Sequence, residues 1–548
     1  MDSLQRLIEL DAVARLRAHD ATLFADDADG IELAAASFGW VEPTVGVTAA
    51  LPLLDRLTQE AAEEGVTDVV LLGMGGSSLA SLVIGEVLGG SGMRLHVLDT
   101  TAPLSVARVV GSLDPATTLY LVASKSGSTI EPLSLYAIFR EEADNELGAL
   151  AAGRRFIAIT DPDTSLEALA ATAGFRALIS SPADVGGRFS ALTVFGVTTA
   201  GLLGVDVEVL LERASAMSTA CALPTAENPA AKLAAFICDA RAAGRDKLTI
   251  VSSASLSSFG LWVEQLVAES LGKEGTGIIP VVELSEEFPV GYGPDRAVVI
   301  LRTDDDTRLA SWVPRLAESG WVIELTLRDG YDLGEQFILW EHAVALLGPL
   351  LGVNPFGQPN VAAAKAATAA VLAGELTAPA PDVMLDDGTF LTFAGGLEAP
   401  SPAPETLTAA LGGVLGAVAA GDFLGVLAYL PAEAEMLTPL RSAAVLVSAR
   451  KGCAVTLEIG PRYLHSTGQL HKGGANNGVF VLVTTRDHAD VPVPGQSWCL
   501  SHLHRAQAEG DLTTLIAADR RVIRVDLQDA SIETITGLAQ ALTEATEA

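Results

Sequence analysis

Short apolar runs of four to eight residues alternate with helical patterns along nearly all of the 548 residues, and this alternation constrains the fold more than any other feature. A run such as Asp68-Val-Val-Leu-Leu72 offers no polar face to water, so a strand built from it must be covered on both sides. Runs of this kind predict strands at Asp68–Leu72, Arg94–Leu98, Leu119–Ala123, Phe156–Ile159, Leu248–Val251, Ala297–Leu301, Trp321–Leu325, Gly425–Tyr429, Ala454–Ile459, Val479–Val483 and Val522–Val525. Helical segments lie between most of them, which argues for an α/β fold of parallel sheets flanked by helices. Apolar residues make up 49 % of the chain and aromatics 5 %, so the apolar content is mostly Ala, Val and Leu, as layered helices on sheets require. With 19 % charged residues, disorder is excluded for most of the chain.

At roughly 150 residues per domain, the length points to three or four domains and allows two large ones. Pro224–Asn228, Thr377–Pro381 and Ala399–Pro404 read as linkers, the last two bracketing a short apolar piece around Phe390–Phe393. The expected division is a helical N-terminal segment over 1–45, a first α/β domain over 46–215 and a second over 216–548, extended at its C-terminal end. The first residues, Met1-Asp-Ser-Leu-Gln-Arg6, carry no basic stretch followed by an apolar core and do not read as a signal peptide. The most apolar stretch, Leu407–Leu430, is broken by Asp422 and reads as a buried helix followed by a strand rather than a membrane span. Cys221, Cys238, Cys453 and Cys499 match no CxxC or zinc spacing, so free thiols in a reducing compartment are expected, and the protein is expected to be cytoplasmic. The net charge of −34 repels nucleic acid and anionic membrane, and no partner of either kind is expected. A phosphorylated substrate would need local positive potential from N–H groups or a few cations.

Ligands of doubly wound sheets sit beyond the carboxyl ends of the strands, so the loops there carry the argument. The first follows Asp68–Leu72 and reads Gly73-Met-Gly75-Gly76-Ser77-Ser78 before an apolar helix. It suits an anion at a helix N-terminus, but a tight turn with a serine N-cap explains it equally well. It is neither a dinucleotide fingerprint nor a P-loop. The second follows Leu119–Ala123 and reads Ser124-Lys125-Ser126-Gly127-Ser128-Thr129-Ile130-Glu131. Four hydroxyls and a lysine are more than a capping box explains, and they favour a phosphate site.

These two loops together resemble the sugar-phosphate isomerase (SIS) fold, and their wording is similar to the glucose-6-phosphate isomerase family. The resemblance implies two SIS-type parallel-sheet αβα sandwich domains. It extends to Val185-Gly-Gly-Arg188-Phe-Ser190, where Arg188 would stabilise an enediolate. It extends to Gln265-Leu-Val-Ala-Glu269-Ser-Leu-Gly-Lys273, where Glu269 would be the base and Gln265 its partner on the same helix face. Leu271 departs there from the family's usual Asn. Asn354-Pro-Phe-Gly-Gln358-Pro-Asn-Val361, leading to Lys365 seven residues after Gln358, is a further family motif and places the family's catalytic lysine at Lys365. Lysines are scarce, numbering seven, and Lys125, Lys273, Lys365 and Lys472 all fall in candidate site segments.

The family's ring-opening histidine lies between the Glu and Gln–Lys motifs. Here that interval holds His342, which sits in an apolar helical pattern over Gly334–Leu351 and reads as packed. The substitute is expected in Gly460-Pro-Arg-Tyr-Leu-His465-Ser-Thr-Gly-Gln-Leu-His471-Lys-Gly-Gly474, a glycine-rich, acid-free loop resembling the C-terminal region of the isomerase half of transaldolase–isomerase fusions. His471 is the expected ring-opening residue and His465 its alternative, with Glu131 orienting the imidazole. His96, His488, His502 and His504 read as structural or surface residues.

The resemblance thus implies reversible isomerisation of glucose 6-phosphate and fructose 6-phosphate through a cis-enediol. Gly76, Ser77, Ser124, Lys125, Ser126 and Thr129 would hold the phosphate, with Glu131, Gln265 and Gln358 completing the substrate site. Glu269, Lys365, His471 and Arg188 would be catalytic. No cofactor or metal is expected, and a homodimer is compatible with the family. An isomerase that also takes mannose 6-phosphate, and a non-catalytic SIS sugar-phosphate sensor, are the alternatives; a sensor would not need Glu269, Arg188 and Lys365 together.

Overall fold

Successive side chains of Asp68–Leu72 (β1) point to opposite faces of a sheet, and both faces are filled. Val69 and Leu71 pack with Leu54 and Leu57 of the helix Leu51–Glu63, whereas Val70 and Leu72 pack with Leu135 and Phe139 of the helix Ile130–Leu147. In this computed structural model, which describes residues 2–42, 45–90, 92–283, 292–318, 320–377, 379–487 and 490–547, the strand is an inner one of a sheet whose pairings are all parallel. Its neighbours are β2 (Arg94–Leu98) and β3 (Thr118–Ala123), with β4 (Phe156–Thr160) and β5 (Ala177–Ser180) beyond, in the order β2-β1-β3-β4-β5. His488 and Ala378 of the Thr377–Pro381 linker lie outside the described residues.

A second parallel sheet holds β6 (Lys247–Ser252), β7 (Ile279–Val282), β8 (Arg296–Thr303) and β9 (Val322–Leu327) in the order β7-β6-β8-β9. The helix Ser257–Leu271 follows β6 and is buried on almost every side, as a helix apolar all round must be. Phe259 and Trp262 pack on Phe337 of the helix Leu333–Leu351. His342 in that helix is packed, its Nδ1 3.0 Å from the Ile338 carbonyl oxygen and its pKa pushed down to about 4 by burial.

The residues beyond the Pro-rich linkers build a sheet of their own. It comprises β10 (Val383–Met384), β11 (Phe390–Ala394), β12 (Phe423–Ala428), β13 (Ala454–Ile459), β14 (Gly478–Asp487) and β15 (Arg521–Asp529), in the order β10-β11-β15-β14-β12-β13. β11 runs antiparallel to both its neighbours, and the other pairings are parallel. In β14, Val479, Val481 and Val483 face an outer helical layer, while Phe480 and Leu482 pack toward Ala268 and Leu470. The outer helices include Leu407–Gly416, which with β12 accounts for the apolar stretch around residues 407–430. Among the described residues no helix is long and apolar enough to cross a membrane.

The α/β class and the parallel sheets are as expected. β5, β7, β10 and β11 were not anticipated as strands. β7 reads Ile-Pro-Val-Val, and its proline is tolerated because the strand lies at a sheet edge. β11, the apolar piece between the linkers, becomes a strand through pairing with β15, some 130 residues later in the chain.

Candidate active site

The loop after β3 folds its hydroxyls together. Ser124 Oγ donates to Thr129 Oγ1 at 2.9 Å, and Ser126 Oγ lies 3.2 Å from Ser128 Oγ and 3.5 Å from Thr129 Oγ1. Thr129 stands at the N-cap of the helix Ile130–Leu147 but makes no side-chain capping bond. The first-turn N–H groups therefore face an array of hydroxyls, the arrangement an anion favours. Lys125 does not join this array, contrary to expectation. Its ammonium pairs with Asp161 at 2.6 and 2.8 Å and donates to the Pro182 carbonyl at 3.0 Å, so its charge is spent on holding the loop against the end of β4.

The glycines of the first loop serve close contact between segments. Gly75 adopts φ +55°, and a Cβ there would meet the His465 carbonyl oxygen at 2.6 Å. A Cβ on Gly76 would lie 2.1 Å from the Gly187 carbonyl oxygen. The sequence thus brings three motif segments, 75–77, 187–189 and 462–465, against one another at the strand ends. Gly76 and Ser77 are half-buried in this contact, and Ser78 Oγ donates to the Gly75 carbonyl at 3.1 Å.

Behind them lies a buried ionic cluster. Arg188 Nη1 donates to Glu269 Oε1 at 2.9 Å and its Nε to Ser270 Oγ at 2.8 Å. Its Nη2 donates to the carbonyls of Pro355 at 2.6 Å and Gly357 at 3.2 Å. Gln265 Nε2 donates both to Glu269 Oε2 at 3.1 Å and to the His465 carbonyl at 2.7 Å. Lys273 donates to the carbonyls of Asn354, at 2.8 Å, and Gly357. Burial, with the Arg188 charge beside it, pushes the Lys273 ammonium down to about 6. Two basic side chains therefore grip the turn at residues 354–357, which leads into the helix Pro359–Leu372.

That helix carries Lys365 to the wall of a cavity of about 370 Å³. Its polar side is formed by Ser128, Thr129, Glu131, Lys365, His465 and Gln507, and its apolar side includes Val361, Ala364, Leu372 and Leu464. Gln358 is not part of it. Gln358 is exposed and lines a separate open cleft with Lys273 and Asn354. Seven residues place two side chains on one helix face only where both are helical, and Gln358 is the non-helical N-cap, at φ −149° and ψ 64°.

The two candidate histidines are divided by the fold. His465 Nε2 is 2.9 Å from Glu131 Oε1 and lines the cavity. His471, the expected ring-opening residue, is buried in the helix Gly468–Gly473, with its Nε2 3.2 Å from Glu458 Oε1 and its ring between Tyr463 and Phe480. Glu131 therefore orients His465 rather than His471. The cause is that the two lie in different elements: His465 ends the short turn Arg462–His465, whereas His471 lies in the separate helix Gly468–Gly473, which packs into the core under β14. Burial would raise the Glu131 carboxyl, but the adjacent His465 overcomes it and holds the group below its ordinary value.

Gln507 and Thr101 were missed in the sequence. Gln507 Nε2 donates to Glu131 Oε1 at 2.7 Å, and Thr101 Oγ1 donates to Gln507 Oε1 at 2.6 Å. The one available signal was His504 and Gln507 three apart on the helix Leu500–Ala517, two polar groups among residues that are mostly buried.

A family model described as phosphoglucose isomerase matches residues 58–284, which contain every motif up to Lys273 and stop before Lys365 and His465. Among curated proteins, a glucose-6-phosphate isomerase of Thermus thermophilus is 31 % identical over 363 residues, covering 57 % of this chain and 85 % of that protein. One from Rubrobacter xylanophilus is 28 % identical over 365 residues, covering 57 % and 84 %. Among solved structures, a hypothetical protein of Thermus thermophilus aligns with a TM-score of 0.57 at 27 % identity, over 68 % of this chain and 99 % of that one. The fold is shared with a glucose-6-phosphate isomerase of Chlamydia trachomatis, at a TM-score of 0.53 and 17 % identity over 68 % of this chain and 85 % of that one.

Proposed function

This chain belongs to the glucose-6-phosphate isomerase family, and we propose that it interconverts glucose 6-phosphate and fructose 6-phosphate by proton transfer through a cis-enediol. The observation that carries the reading is the His465–Glu131 pair, which shares one cavity with Lys365 at the start of the hydroxyl-lined helix. The phosphate is held by Ser124, Ser126 and Thr129 and by the first N–H groups of that helix, which supply the positive potential that a chain of net charge −34 otherwise lacks. His465 and Lys365 open the ring. The Glu131 carboxylate can only accept, so the imidazole donates Nε2–H to it and keeps a lone pair on Nδ1 for the proton in transit.

Glu269 then moves the proton between carbon 2 of the aldose and carbon 1 of the ketose. Gln265 links its carboxylate to the backbone of His465, so base and ring-opening residue share one support. Arg188, on the opposite oxygen of Glu269, stabilises the oxyanion of the enediolate. Ser77 and Gly76 shape the junction beside this cluster, Lys125 supports its loop through Asp161 rather than acting as a ligand, and Gln358 lies outside the cavity. The residues used come from all three sheet regions of one chain, so the histidine need not be supplied by a second subunit.

Conversion of fructose 6-phosphate, followed by coupled oxidation of the glucose 6-phosphate formed, tests the reading. Glu269→Gln should lower kcat by about 10²–10⁴-fold, the range for loss of a general base. A variant as active as the wild type would remove the mechanism. A wild type that binds fructose 6-phosphate without turnover would make the protein a sensor, and equal turnover of mannose 6-phosphate would widen the substrate range.

A further inference from the structure

Glu131 is held from two sides by side chains of the C-terminal region. Its Oε1 accepts from His465 Nε2 at 2.9 Å and from Gln507 Nε2 at 2.7 Å. Gln507 is itself fixed: its Oε1 accepts from Thr101 Oγ1 at 2.6 Å. Thr101 has one hydroxyl proton, and it goes to Gln507. The contact of 3.0 Å between Thr101 Oγ1 and His504 Nδ1 therefore requires His504 to donate.

The direction of every bond in this chain follows. His504 donates to Thr101, Thr101 to Gln507 and Gln507 to Glu131, where the donation from His465 also ends. Rotating the Gln507 amide by half a turn would set its carbonyl oxygen against the Glu131 carboxylate, which can only accept. Glu131, Thr101, His504 and Gln507 are all buried, so that mismatch would stand out of reach of water. The chain also crosses the fold. Thr101 follows β2 and Glu131 opens the helix after β3, both in the first sheet region, whereas His504 and Gln507 lie on the helix Leu500–Ala517. Leu500 and Leu503 of that helix share a core with Leu135 and Phe139, which fixes the two regions against each other.

We infer that Gln507, braced by Thr101, is a positioning residue that orients Glu131 and through it sets the tautomer of His465, so that the C-terminal region supplies both the ring-opening imidazole and the means of aiming it. The inference rests on the isomerase reading above and deepens it. Without Gln507 one donor to Glu131 Oε1 is lost, the carboxylate turns toward other partners, and His465 divides between two tautomers.

The experiment compares fructose 6-phosphate, which must be opened, with 5-deoxyfructose 6-phosphate, which lacks the hydroxyl that closes the ring. Turnover of both is read as deuterium exchange at carbon 1 in D₂O, across pH. Gln507→Leu should lower kcat on the cyclic substrate by about tenfold, a fraction of the 10²–10⁴-fold expected for loss of the acid/base itself. It should leave the acyclic compound within about twofold and displace the limb of the pH profile that His465→Ala abolishes. Thr101→Val should do the same to a smaller degree, and Thr101→Ser should restore wild-type behaviour; this pair keeps the test decisive if Gln507→Leu does not fold. Equal losses on both substrates, or an unmoved pH profile in Gln507→Leu and Thr101→Val, would overturn the inference. An inactive wild type, or a Glu269→Gln variant with full activity, would overturn the isomerase reading instead.

Discussion

Two histidine–glutamate pairs stand six residues apart in the same segment, with nearly the same contact. His465 meets Glu131 at 2.9 Å and His471 meets Glu458 at 3.2 Å, each through Nε2 and Oε1. One pair joins two regions of the fold at the wall of a cavity shared with Lys365. The other joins the end of β13 to the short helix Gly468–Gly473 further along the chain, and its ring is closed in by Tyr463 and Phe480. The contact alone does not make a site. Access for a substrate and a second charged group beside the imidazole do, and the first pair has both.

The largest effect that could break this comparison is kinetic. His465→Ala should reduce turnover of cyclic fructose 6-phosphate by about 10²–10⁴-fold, whereas folded His471→Ala should keep most of its kcat. In stability the order reverses. His471→Ala leaves the buried Glu458 carboxylate without its imidazole hydrogen-bond donor and should cost about 1–3 kcal/mol by denaturant unfolding. A His471→Ala variant of normal stability and no activity would return the ring-opening role to that residue.

Next come the carboxylates. Glu131→Gln should lower kcat on the cyclic substrate by about tenfold with a displaced pH profile, and Glu458→Gln should lower the melting temperature with little change in kcat. Steady-state kinetics beside thermal unfolding separates them.

Acid should act on both pairs alike. Burial raises each carboxyl, but the adjacent histidine outweighs it, so Glu131 and Glu458 both lie below the ordinary 4.5. Below pH 4.5 the unfolded chain takes up protons that the folded chain resists, so this stability is present above that pH and is lost as the pH falls through the folded values. Either Gln variant should flatten the acid limb of the melting curve against pH; an unchanged limb would mean that the pair does not stabilise the fold.

The smallest effect concerns a neighbour that only the inner pair has. Glu264 is raised well above its ordinary value by burial and then by the charge of Glu458. Its ionised form therefore opposes folding above pH 4.5. Glu264→Gln should raise the melting temperature at pH 7, with the gain fading toward pH 4. A loss at pH 7 would show that Glu264 is held by contacts that favour its charge.

Much of this was legible in the chain. β1, β2 and β13 run over the predicted residues because their apolar runs have sharp polar or glycine borders. Arg188, Gln265 and Glu269 meet as expected, the last two because four residues make one helical turn. Lys125 and Gln358 went elsewhere for different reasons. Lys125 found an acid on the next strand end, invisible until β3 and β4 are paired, and Gln358 lies just outside the helix whose period was applied to it.

By itself, the amino-acid sequence determined the local quantities: which of the clear apolar runs are strands and which segments between them are helices, which loops are rich in hydroxyls, and which short motifs carry a base and an arginine. These depend on side-chain period and backbone freedom within a few residues. The choice between His465 and His471, the partnership of Glu131 and the parts played by Thr101 and Gln507 belong to the tertiary structure alone. Glu131 and Gln507 are separated by 376 residues and meet because the helix Leu500–Ala517 packs along the helix Pro359–Leu372 and shares an apolar core with the helix Ile130–Leu147. A hydrogen bond is decided within a few tenths of an ångström, a precision that chain-distant groups reach only when the packing between them is complete.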